Sequence, residues 1–408
     1  MLAGLAEGTS HLSNFSTGAD PHSTLACMAA LGAKVVKTDD HTLTITGVGG
    51  SFQEPAAPLD CGNSGSTMRM VSGMLVAHPH RFTLVGDDSL SQRPMERIRK
   101  PLQQFFPGGE ERITLTDGHA PIRIHGGDLL GTSFTSLVPS AQVKSAVLFA
   151  GLQARGATTL VETIRTRDHT EHALRAFGAT VTRSADTLTI NGPQTLSAVD
   201  AAVPGDLSSA AFFLCAALLF PDSHLVLDSI GMNPTRAALL DVVTALGAKI
   251  KVLNVEDLHG ELIGTIQVNA DASRRSGTTP PLEISGTLTA QLIDEIPVIA
   301  AIAPFTATGV QIRDAGELRV KESDRIDLVA RNLRAMGATL VEYSDGLDVP
   351  GNQHLHGAEI DSGGDHRIAM AFAVAALRAE GQTLIHGADS AAISFPEFFS
   401  HLDTLSLR

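Results

Sequence analysis

Two segments in the second half of the chain bring acidic and basic residues together beside apolar sequence. LRVKESDRI, residues 318–326, follows an apolar strand-like stretch and contains Lys321, Glu322 and Arg325. DHRIAM, residues 365–370, puts three ionisable residues at the start of an apolar helical stretch. Carboxylates beside Lys and Arg suit general acid–base chemistry on phosphorylated substrates, because guanidinium groups bind phosphate strongly. A ladder of surface salt bridges is the alternative for 318–326.

A pair of acidic residues lies inside the apolar segment LIDEIPVIAAIAPF, residues 292–305. Asp294 and Glu295 must be paired or functional there, because burying an unpaired carboxylate is costly. They are therefore candidates for the same acid–base chemistry. A helix N-cap is the alternative for Asp294.

In the first half of the chain, the segment GNSGSTMR contains Asn63, Gly65 and Arg69. It is neither a Walker A loop, since GxxxxGK is absent, nor a nucleophile elbow, since GxSxG fails at Ser66. A glycine-rich turn leading into a helix with a surface arginine explains it equally well.

Two further segments carry polar residues at expected helix starts. SLSQRPMERIRKPL contains Arg93 before a proline, and PSAQVKS puts Ser140 at the N-cap and Gln142 in the first turn. Taken alone, Arg93 fits a solvated basic helix start. Ordinary capping by Ser140, with Lys144 solvated, is the alternative for the second segment.

The segment RTRDHTEH, residues 165–172, combines arginine, aspartate and histidine. Its spacing lacks the HExxH pattern of a zinc site. Capture of a phosphate by Arg167 is therefore favoured over a metal ion at His169.

Four very apolar helices are expected to position these residues, at 62–77, 139–156, 204–220 and 363–381. Helices that are apolar all round belong to a core. Their first turns are nevertheless polar, and a helix N-terminus offers free N–H groups and the positive end of a dipole. Several such helix N-termini that converge on one cleft would form an anion-binding site even in a protein that is not basic overall.

A helix–glycine–strand–turn–strand pattern recurs along the chain. The copies are at 28–47, 174–192, 243–253 and 332–351, with a weaker one at 101–127. A spacing of about 70–90 residues exceeds that of common solenoids and favours a closed pseudo-symmetric arrangement. Pro204-Gly205 precedes an apolar helix near mid-chain, so we expect domains at 1–204 and 205–408.

Composition limits the classes of partner. The 408 residues carry a net charge of −14, which argues against nucleic acid as a general partner because phosphates repel an acidic surface. The longest apolar run, 210–220, is too short to span a bilayer. Residues 1–8 lack the basic region and cleavage site of a signal peptide.

The cysteine count indicates a reducing compartment. Cys27, Cys61 and Cys215 are far apart and form no CxxC pair, so neither a disulfide framework nor a zinc site is expected. We expect all three to pack as small hydrophobic residues in a cytoplasmic protein.

Eight segments, in order, resemble the motifs of the 5-enolpyruvylshikimate-3-phosphate synthase family. They are GNSGSTMR, RPM, SAQVKSA, TRDHTEH, PGDLSSAAFFL, IDEIP, ELRVKESDRI and DHRIAMA. The resemblance runs from about residue 3 to SFPEFF near the end. The related enolpyruvyl transferases that act on a UDP-linked sugar carry a catalytic Cys on a mobile loop and lack RVKESDR. The corresponding region here, near 106–126, has no Cys, so the shikimate family is the better match.

The resemblance implies an α/β fold of two similar globular domains, each of three βαβαββ units, with helix N-termini facing an interdomain cleft that closes on substrates. The first of the six units would be incomplete here. The family transfers the enolpyruvyl group of phosphoenolpyruvate (PEP) to the 5-hydroxyl of shikimate 3-phosphate and releases phosphate. It uses no metal and no organic cofactor. We expect a cytoplasmic monomer without nucleic-acid or membrane partners.

The same resemblance implies roles for individual residues. Asp294 would accept the hydroxyl proton, and Glu322 with Lys321 would serve proton transfer at PEP. The residues expected to bind PEP are Gly65, Arg93, Gln142, Arg325 and Arg367. Those expected to bind shikimate 3-phosphate are Ser140, Ala141, Gln142, Arg167, Asp294 and Lys321. Gly65 leaves room for glyphosate, the family's PEP-competitive inhibitor, although Met70 stands where many members have Pro.

The first residues, MLAGLAEGTS, depart from the family pattern. In the family, a strand and the motif P-G-(S/D)-K-S-x-x-x-R precede the helix whose end this stretch resembles. The Lys of the motif touches both substrates, and its Ser and Arg bind shikimate 3-phosphate; this chain begins inside that helix and lacks all three residues. Some members also carry a Lys before the aromatic-Pro near the C-terminus, where this chain has AAISFP. Three expectations follow for the chain as given: a transferase of weak activity, an inactive protein that still binds shikimate 3-phosphate, or a natural protein that starts upstream of Met1.

Overall fold

The chain divides into two compact α/β units, Met1–Val203 and Pro204–Arg408. The computed structural model describes residues 1–109, 111–136, 139–270 and 280–406. Each unit has its own hydrophobic core.

The first unit alternates strands with helices. Its described helices are α1 (Leu2–Leu5), α2 (Ala19–Ala30), α3 (Gly65–Leu75), α4 (Asp88–Ser91), α5 (Glu96–Gln103), α6 (Ala141–Gln153) and α7 (His169–Ala176), with a 3₁₀ turn at Pro107–Gly109. Its described strands are β1 (Thr9–Ser13), β2 (Lys34–Lys37), β3 (Leu43–Thr46), β4 (Leu59–Asp60), β5 (Arg81–Val85), β6 (Ile113–Thr116), β7 (His119–His125), β8 (Ser133–Ser136), β9 (Gly156–Glu162), β10 (Val181–Ser184), β11 (Thr187–Gly192) and β12 (Asp200–Ala202).

These strands form three four-stranded sheets with the same pattern of strand directions, although the parallel edge strand comes last in the chain in the first sheet (β12) and first in the other two (β4 and β8). The strand orders are β12-β1-β3-β2, β4-β5-β7-β6 and β10-β11-β9-β8. In each sheet one edge strand pairs parallel with its neighbour, and the remaining pairs are antiparallel. The parallel pair β8–β9 is joined by α6 and brings Ser136 opposite Glu162. In chain order this third sheet reads β-α-β-α-β-β, the unit that the resemblance implies.

The second unit also alternates strands with helices. Its described helices are α8 (Leu207–Leu218), α9 (Ala238–Ala245), α10 (Gly286–Leu292), α11 (Ile296–Ile302), α12 (Arg325–Ala335), α13 (His366–Ala376) and α14 (Phe398–Leu405), with 3₁₀ turns at Ala303–Phe305, Gly316–Val320 and Ala388–Ile393. Its described strands are β13 (His224–Gly231), β14 (Ala248–Leu258), β15 (Glu261–Ala270), β16 (Leu282–Ile284), β17 (Gly309–Ile312), β18 (Val341–Tyr343), β19 (Gly346–Pro350), β20 (Glu359–Asp361) and β21 (Leu384–His386). They form sheets in the orders β13-β15-β14, β16-β17-β19-β18 and β20-β21.

The recurring sequence pattern is confirmed as helix, turn and hairpin. Each predicted glycine follows a helix and has a positive φ: Gly32 (108°), Gly178 (91°), Gly247 (118°) and Gly337 (91°). An antiparallel pair follows each of them, namely β2–β3, β10–β11, β14–β15 and β18–β19.

The four apolar helices predicted from the sequence are core helices. They are α3, α6, α8 and α13, and most of their residues are buried. Helices α3 and α6 approach closely, since a Cβ on Gly73 would lie 2.2 Å from the backbone oxygen of Ala146. Glycine is therefore required at this crossing.

Within the described residues, no single helix is both long and apolar enough to cross a membrane. One pair, Gly286–Leu292 with Ile296–Phe305, meets the length and composition criteria together and is bent by 100°.

Candidate active site

In the second unit, a buried ion pair joins the first turns of α12 and α13. Arg325 is the first residue of α12 and Asp365 is the N-cap of α13. Arg325 Nε donates to Asp365 Oδ2 at 2.8 Å and Nη2 donates to Oδ1 at 3.2 Å, with side-chain exposures of 1% and 0%. Burial raises the pKa of Asp365, but the charge and the hydrogen bonds of Arg325 together outweigh burial and hold that pKa below its usual value.

Three predicted site residues lie around the same guanidinium group. Arg325 Nη2 is 2.5 Å from Glu322 Oε2, and Nη1 is 3.6 Å from Asp294 Oδ1. Lys321 Nζ is 3.4 Å from the same Asp294 oxygen. Unlike Arg325, the side chains of Asp294, Lys321 and Glu322 are partly exposed. The geometry thus gives two accessible carboxylates held by one buried cation, as acid–base chemistry requires.

A break between two helices presents Asp294. Helix α10 ends at Leu292 and α11 begins at Ile296. The N-cap of α11 is Glu295, without a side-chain cap hydrogen bond, and the carboxylate of Asp294 contacts Lys321 and Arg325. The N-cap alternative for Asp294 is therefore wrong.

The alternative for residues 318–326, a ladder of surface salt bridges, is correct within this segment only for the contacts of Arg319. That partly exposed side chain bonds Asp324 at 2.8 Å and Glu342 at 3.3 Å. Arg325 belongs to the buried cluster instead, so the segment combines a surface ion pair with an interior one.

Arg367, in the first turn of α13, points its guanidinium group at α8 and at the helix break. Its Nη1 donates to Ser208 Oγ and to the backbone oxygen of Asp294, both at 2.9 Å. Ser208 in turn donates to Glu295 Oε1. Ser208 has no predicted role from the sequence, although the polar helix start that contains it is among those expected to favour anions.

Arg236 is a further residue that the sequence analysis did not single out. Its Nη2 lies 3.1 Å from Glu295 Oε1 and 3.7 Å from Asp206 Oδ1. Arg236 has no charged neighbour in its own sequence segment, MNPTRAALL, so no local signal pointed to it.

In the first unit, the starts of α3 and α6 are joined by polar side chains. Arg69 Nη1 donates to Gln142 Oε1 at 2.7 Å, and Gln142 Nε2 donates to Ser66 Oγ at 2.8 Å. Ser140 caps α6 by accepting from Val143 N at 3.4 Å, which confirms the N-cap prediction, and Ala141 is the first helical residue. Arg69 is buried, so the surface alternative for it is wrong.

Arg93 is also buried, and the solvated-helix interpretation of it is wrong. Its Nη2 donates to Asn63 Oδ1 at 2.7 Å and to Ser89 Oγ at 3.3 Å. A Cβ placed on Gly65 would lie 3.2 Å from Arg93 Nη1 and 3.3 Å from Arg69 Nη1. Gly65 therefore lies against two guanidinium groups at a helix N-terminus, a geometry suited to an anion.

Lys144 is buried, so the alternative of a solvated Lys144 is wrong. With 1% side-chain exposure, its Nζ lies 3.2 Å from Glu162 Oε1 and 3.0 Å from Glu171 Oε1. Arg183 bonds both carboxylates as well. Glu162 also accepts from Thr166 N and Oγ1 at 3.1 and 2.5 Å. This buried network anchors the segment that carries Arg167, which is itself half-buried.

The three cysteines lie in the interior of the protein. Cys27, Cys61 and Cys215 are buried and unpaired by disulfides, as expected. Among residues 1–109, 111–136, 139–270 and 280–406, no group of three or more His, Cys, Asp or Glu residues could hold a metal ion.

Repeated β-α-β units with arginines at helix N-termini and accessible carboxylates define the chain as an α/β enzyme that binds anionic substrates. Comparison with known proteins specifies the family. The family model of EPSP synthase (3-phosphoshikimate 1-carboxyvinyltransferase) matches residues 1–402. The chain belongs to the EPSP synthase family.

Individual relatives agree. The chain is similar to the 3-phosphoshikimate 1-carboxyvinyltransferases of Koribacter versatilis (strain Ellin345), 60% identical, and Solibacter usitatus (strain Ellin6076), 51% identical. Each alignment covers 100% of this chain and 93% of the relative. A solved EPSP synthase from Acinetobacter baumannii superposes with a TM-score of 0.84 at 37% identity, covering 99% of this chain and 92% of that one.

Family membership confirms the main expectation from the sequence. The chain is a transferase of the shikimate pathway of aromatic amino acid biosynthesis, and its α/β fold is that of the family. The substrates that the family implies are PEP and shikimate 3-phosphate. The UDP-sugar alternative is not supported by these matches.

Proposed function

We propose that this chain transfers the enolpyruvyl group of PEP to the 5-hydroxyl of shikimate 3-phosphate with Asp294, Glu322 and Lys321 as its proton-transfer groups. The observation that carries the proposal is the contact of Arg325 with both Asp294 and Glu322. A buried cation stabilises the ionised form of each carboxylate, and an ionised carboxylate can accept a proton.

The reaction is an addition followed by an elimination. Asp294 takes the proton of the 5-hydroxyl as the hydroxyl oxygen bonds to C2 of PEP, and the ammonium group of Lys321 delivers a proton to the methylene carbon. In the second half the ionised Glu322 takes a proton from the methyl group so formed, the bond between C2 and the phosphate oxygen breaks, and phosphate departs. The 3.4 Å contact of Lys321 with Asp294 supports these separate roles. The ammonium group of Lys321 lies beside the negative charge that Asp294 carries before it accepts the proton.

PEP carries a phosphate and a carboxylate, and arginine binds both groups through paired hydrogen bonds. In the first unit we assign its binding to Arg93, Gln142 and the backbone of Gly65. In the second unit we assign it to Arg325 and Arg367. The two guanidinium groups beside Gly65 support the first assignment. The missing side chain at Gly65 also supports competition by glyphosate.

We assign shikimate 3-phosphate to a second set of residues. In the first unit these are Ser140, Ala141, Gln142 and Arg167, supported by the position of the first three at the N-terminus of α6, where backbone N–H groups favour a phosphate. In the second unit they are Asp294 and Lys321.

We further propose a cytoplasmic monomer that acts on small molecules and not on nucleic acid or membranes. The net charge of −14 supports the exclusion of nucleic acid.

Phosphate release from PEP in the presence of shikimate 3-phosphate tests the proposal. We expect turnover by the unaltered chain, and Asp294→Asn and Glu322→Gln to lower kcat by about a hundredfold or more. A chain that binds shikimate 3-phosphate in calorimetric titration yet releases no phosphate would instead be an inactive binding protein. Release that requires a UDP-linked sugar in place of shikimate 3-phosphate would support the other enolpyruvyl transferase.

A further inference from the structure

Arg236 and Glu295 form a buried ion pair that the proposed chemistry does not use. Arg236 Nη2 lies 3.1 Å from Glu295 Oε1, and the two side chains are 8% and 3% exposed. Buried ion pairs are often no more stabilising than apolar residues of the same volume, because both charges lose their hydration. Stability alone is therefore a weak reason for this pair.

The pair connects to the proposed PEP-binding arginine through one hydroxyl group. Glu295 Oε1 accepts a hydrogen bond from Ser208, and Ser208 Oγ accepts one from Arg367 Nη1 at 2.9 Å. A serine hydroxyl has a single proton. Because that proton is directed at Glu295, the lone pairs of Ser208 remain available to Arg367, and the direction of both hydrogen bonds is fixed.

The same arrangement reaches the proposed base. Arg367 Nη1 also donates to the backbone oxygen of Asp294 at 2.9 Å, and Glu295 is the next residue in the chain. The break between α10 and α11 is thus held twice. The side chain of Glu295 anchors it to Ser208, and Arg367 binds the backbone oxygen of Asp294.

We propose that Glu295, held by Arg236 and bonded to Ser208, is a positioning residue that orients Arg367 toward PEP and fixes the backbone at Asp294. This inference rests on the proposed roles of Arg367 and Asp294. It adds three residues, Arg236, Ser208 and Glu295, that act through their neighbours and not by touching substrate.

Two variants separate the orientation of Arg367 from the positioning of the backbone at Asp294. Ser208→Ala removes the acceptor for Arg367 and leaves Asp294 untouched, so the KM for PEP should rise about tenfold, with kcat and the KM for shikimate 3-phosphate within about twofold. Glu295→Gln affects both Arg367, through Ser208, and the backbone at Asp294. It should therefore raise the KM for PEP and also lower kcat several-fold.

A neighbouring serine supplies the matched control. Ser209 Oγ donates to Asp206 Oδ2 at 2.9 Å in the same helical turn, and without that hydroxyl Asp206 still accepts from the backbone N–H groups of Ser208 and Ser209 and stays in place beside Arg236. Ser209→Ala should leave both KM values unchanged. Melting temperatures of all variants identify any general loss of structure, which would lower kcat without selectively raising the KM for PEP.

Arg367→Lys distinguishes failure of this inference from failure of the proposed function. If Arg367→Lys leaves the KM for PEP unchanged, the role of Arg367 is wrong and the inference falls with it. If Arg367→Lys raises that KM but Ser208→Ala and Glu295→Gln do not, the inference alone is overturned. Calorimetric titration of PEP in the presence of shikimate 3-phosphate gives the same comparison for a variant too slow to assay.

Discussion

Arg325 and Asp365 meet in the interior of the second unit, with Arg325 Nε 2.8 Å from Asp365 Oδ2. The pair brings the first turns of α12 and α13 together. Ser323 Oγ also donates to Asp365 Oδ2 at 2.9 Å, so the carboxylate holds both the guanidinium group and the segment before α12. Because this segment carries Lys321 and Glu322, the ion pair fixes the candidate acid–base groups as well as the helices.

Breaking this pair should be costly. Asp365→Asn leaves the buried Arg325 without its main partner, and we expect the free energy of unfolding to fall by about 3–5 kcal/mol. Denaturant unfolding measures the loss. Asp327→Asn is the control, since Asp327 bonds the exposed Arg331 on the same helix at 2.8 Å and should cost less than about 1 kcal/mol. Equal losses would contradict the account.

Lys144 should support both the fold and the binding of shikimate 3-phosphate. Lys144→Met removes one of the two cations that contact both Glu162 and Glu171 and leaves Arg183, so stability should fall by about 3 kcal/mol. The segment of Arg167 loses its anchor, and the KM for shikimate 3-phosphate should rise more than that for PEP.

Two further variants test the cause of that effect. Adding Glu171→Gln to Lys144→Met removes the uncompensated charge and should recover part of the lost stability. The exposed Lys34 provides the control Lys34→Met, which should change neither stability nor KM. A double variant no more stable than Lys144→Met would argue against an electrostatic origin.

A methyl group at position 65 should weaken PEP binding selectively. In Gly65→Ala the new Cβ would lie 3.2 and 3.3 Å from two arginine nitrogens, so an anion there loses contact with at least one of them. We expect the KM for PEP to rise about tenfold, the inhibition constant of glyphosate to rise at least as much, and stability to change little.

Gly316→Ala is the matched control for that experiment. Its nearest neighbour beyond the adjacent residues is 4.0 Å away and its φ is not positive, so the added methyl group meets no obstacle. Steady-state kinetics with both substrates should not distinguish Gly316→Ala from the parent. An unchanged KM for PEP in Gly65→Ala would refute the anion site at Gly65.

The protein should become less stable as the pH falls from 7 to 5, because His78 is buried. Burial lowers the pKa of His78 to about 4, whereas an unfolded histidine titrates near 6.5. As the pH falls below about 6.5, His78 binds a proton in the unfolded chain but not in the folded chain. The free energy of unfolding therefore falls by about 2 kcal/mol from this residue by pH 5. His78→Gln should reduce that loss, measured by denaturant unfolding at both pH values.

The exposed His354 serves as the control for His78. His354→Gln should leave the pH dependence of stability as in the parent chain. Equal pH dependence in the parent and His78→Gln would show that the folded protein accommodates the protonated imidazole.

Local sequence was sufficient for the elements and for the family. Apolar helices with polar first turns, glycines after helices and alternating strands depend on residues near one another in the chain, and the four predicted helices and the turn glycines are where they were expected. Eight ordered motifs resembled one family, and the comparisons confirm it.

The partners of charged side chains could not be read from the sequence. Taken alone, the segments of Lys144 and Arg93 allow solvated side chains, yet both side chains are buried, and the partners of Lys144 lie 18 and 27 residues further along the chain. The contacts of Ser208 with Glu295 and Arg367 span 87 and 159 residues. Sequence alone determined which residues could do chemistry and which helices carry them, because helix and turn formation is local. Only the tertiary structure decided which charges are buried against each other, because that depends on how distant helix starts pack together.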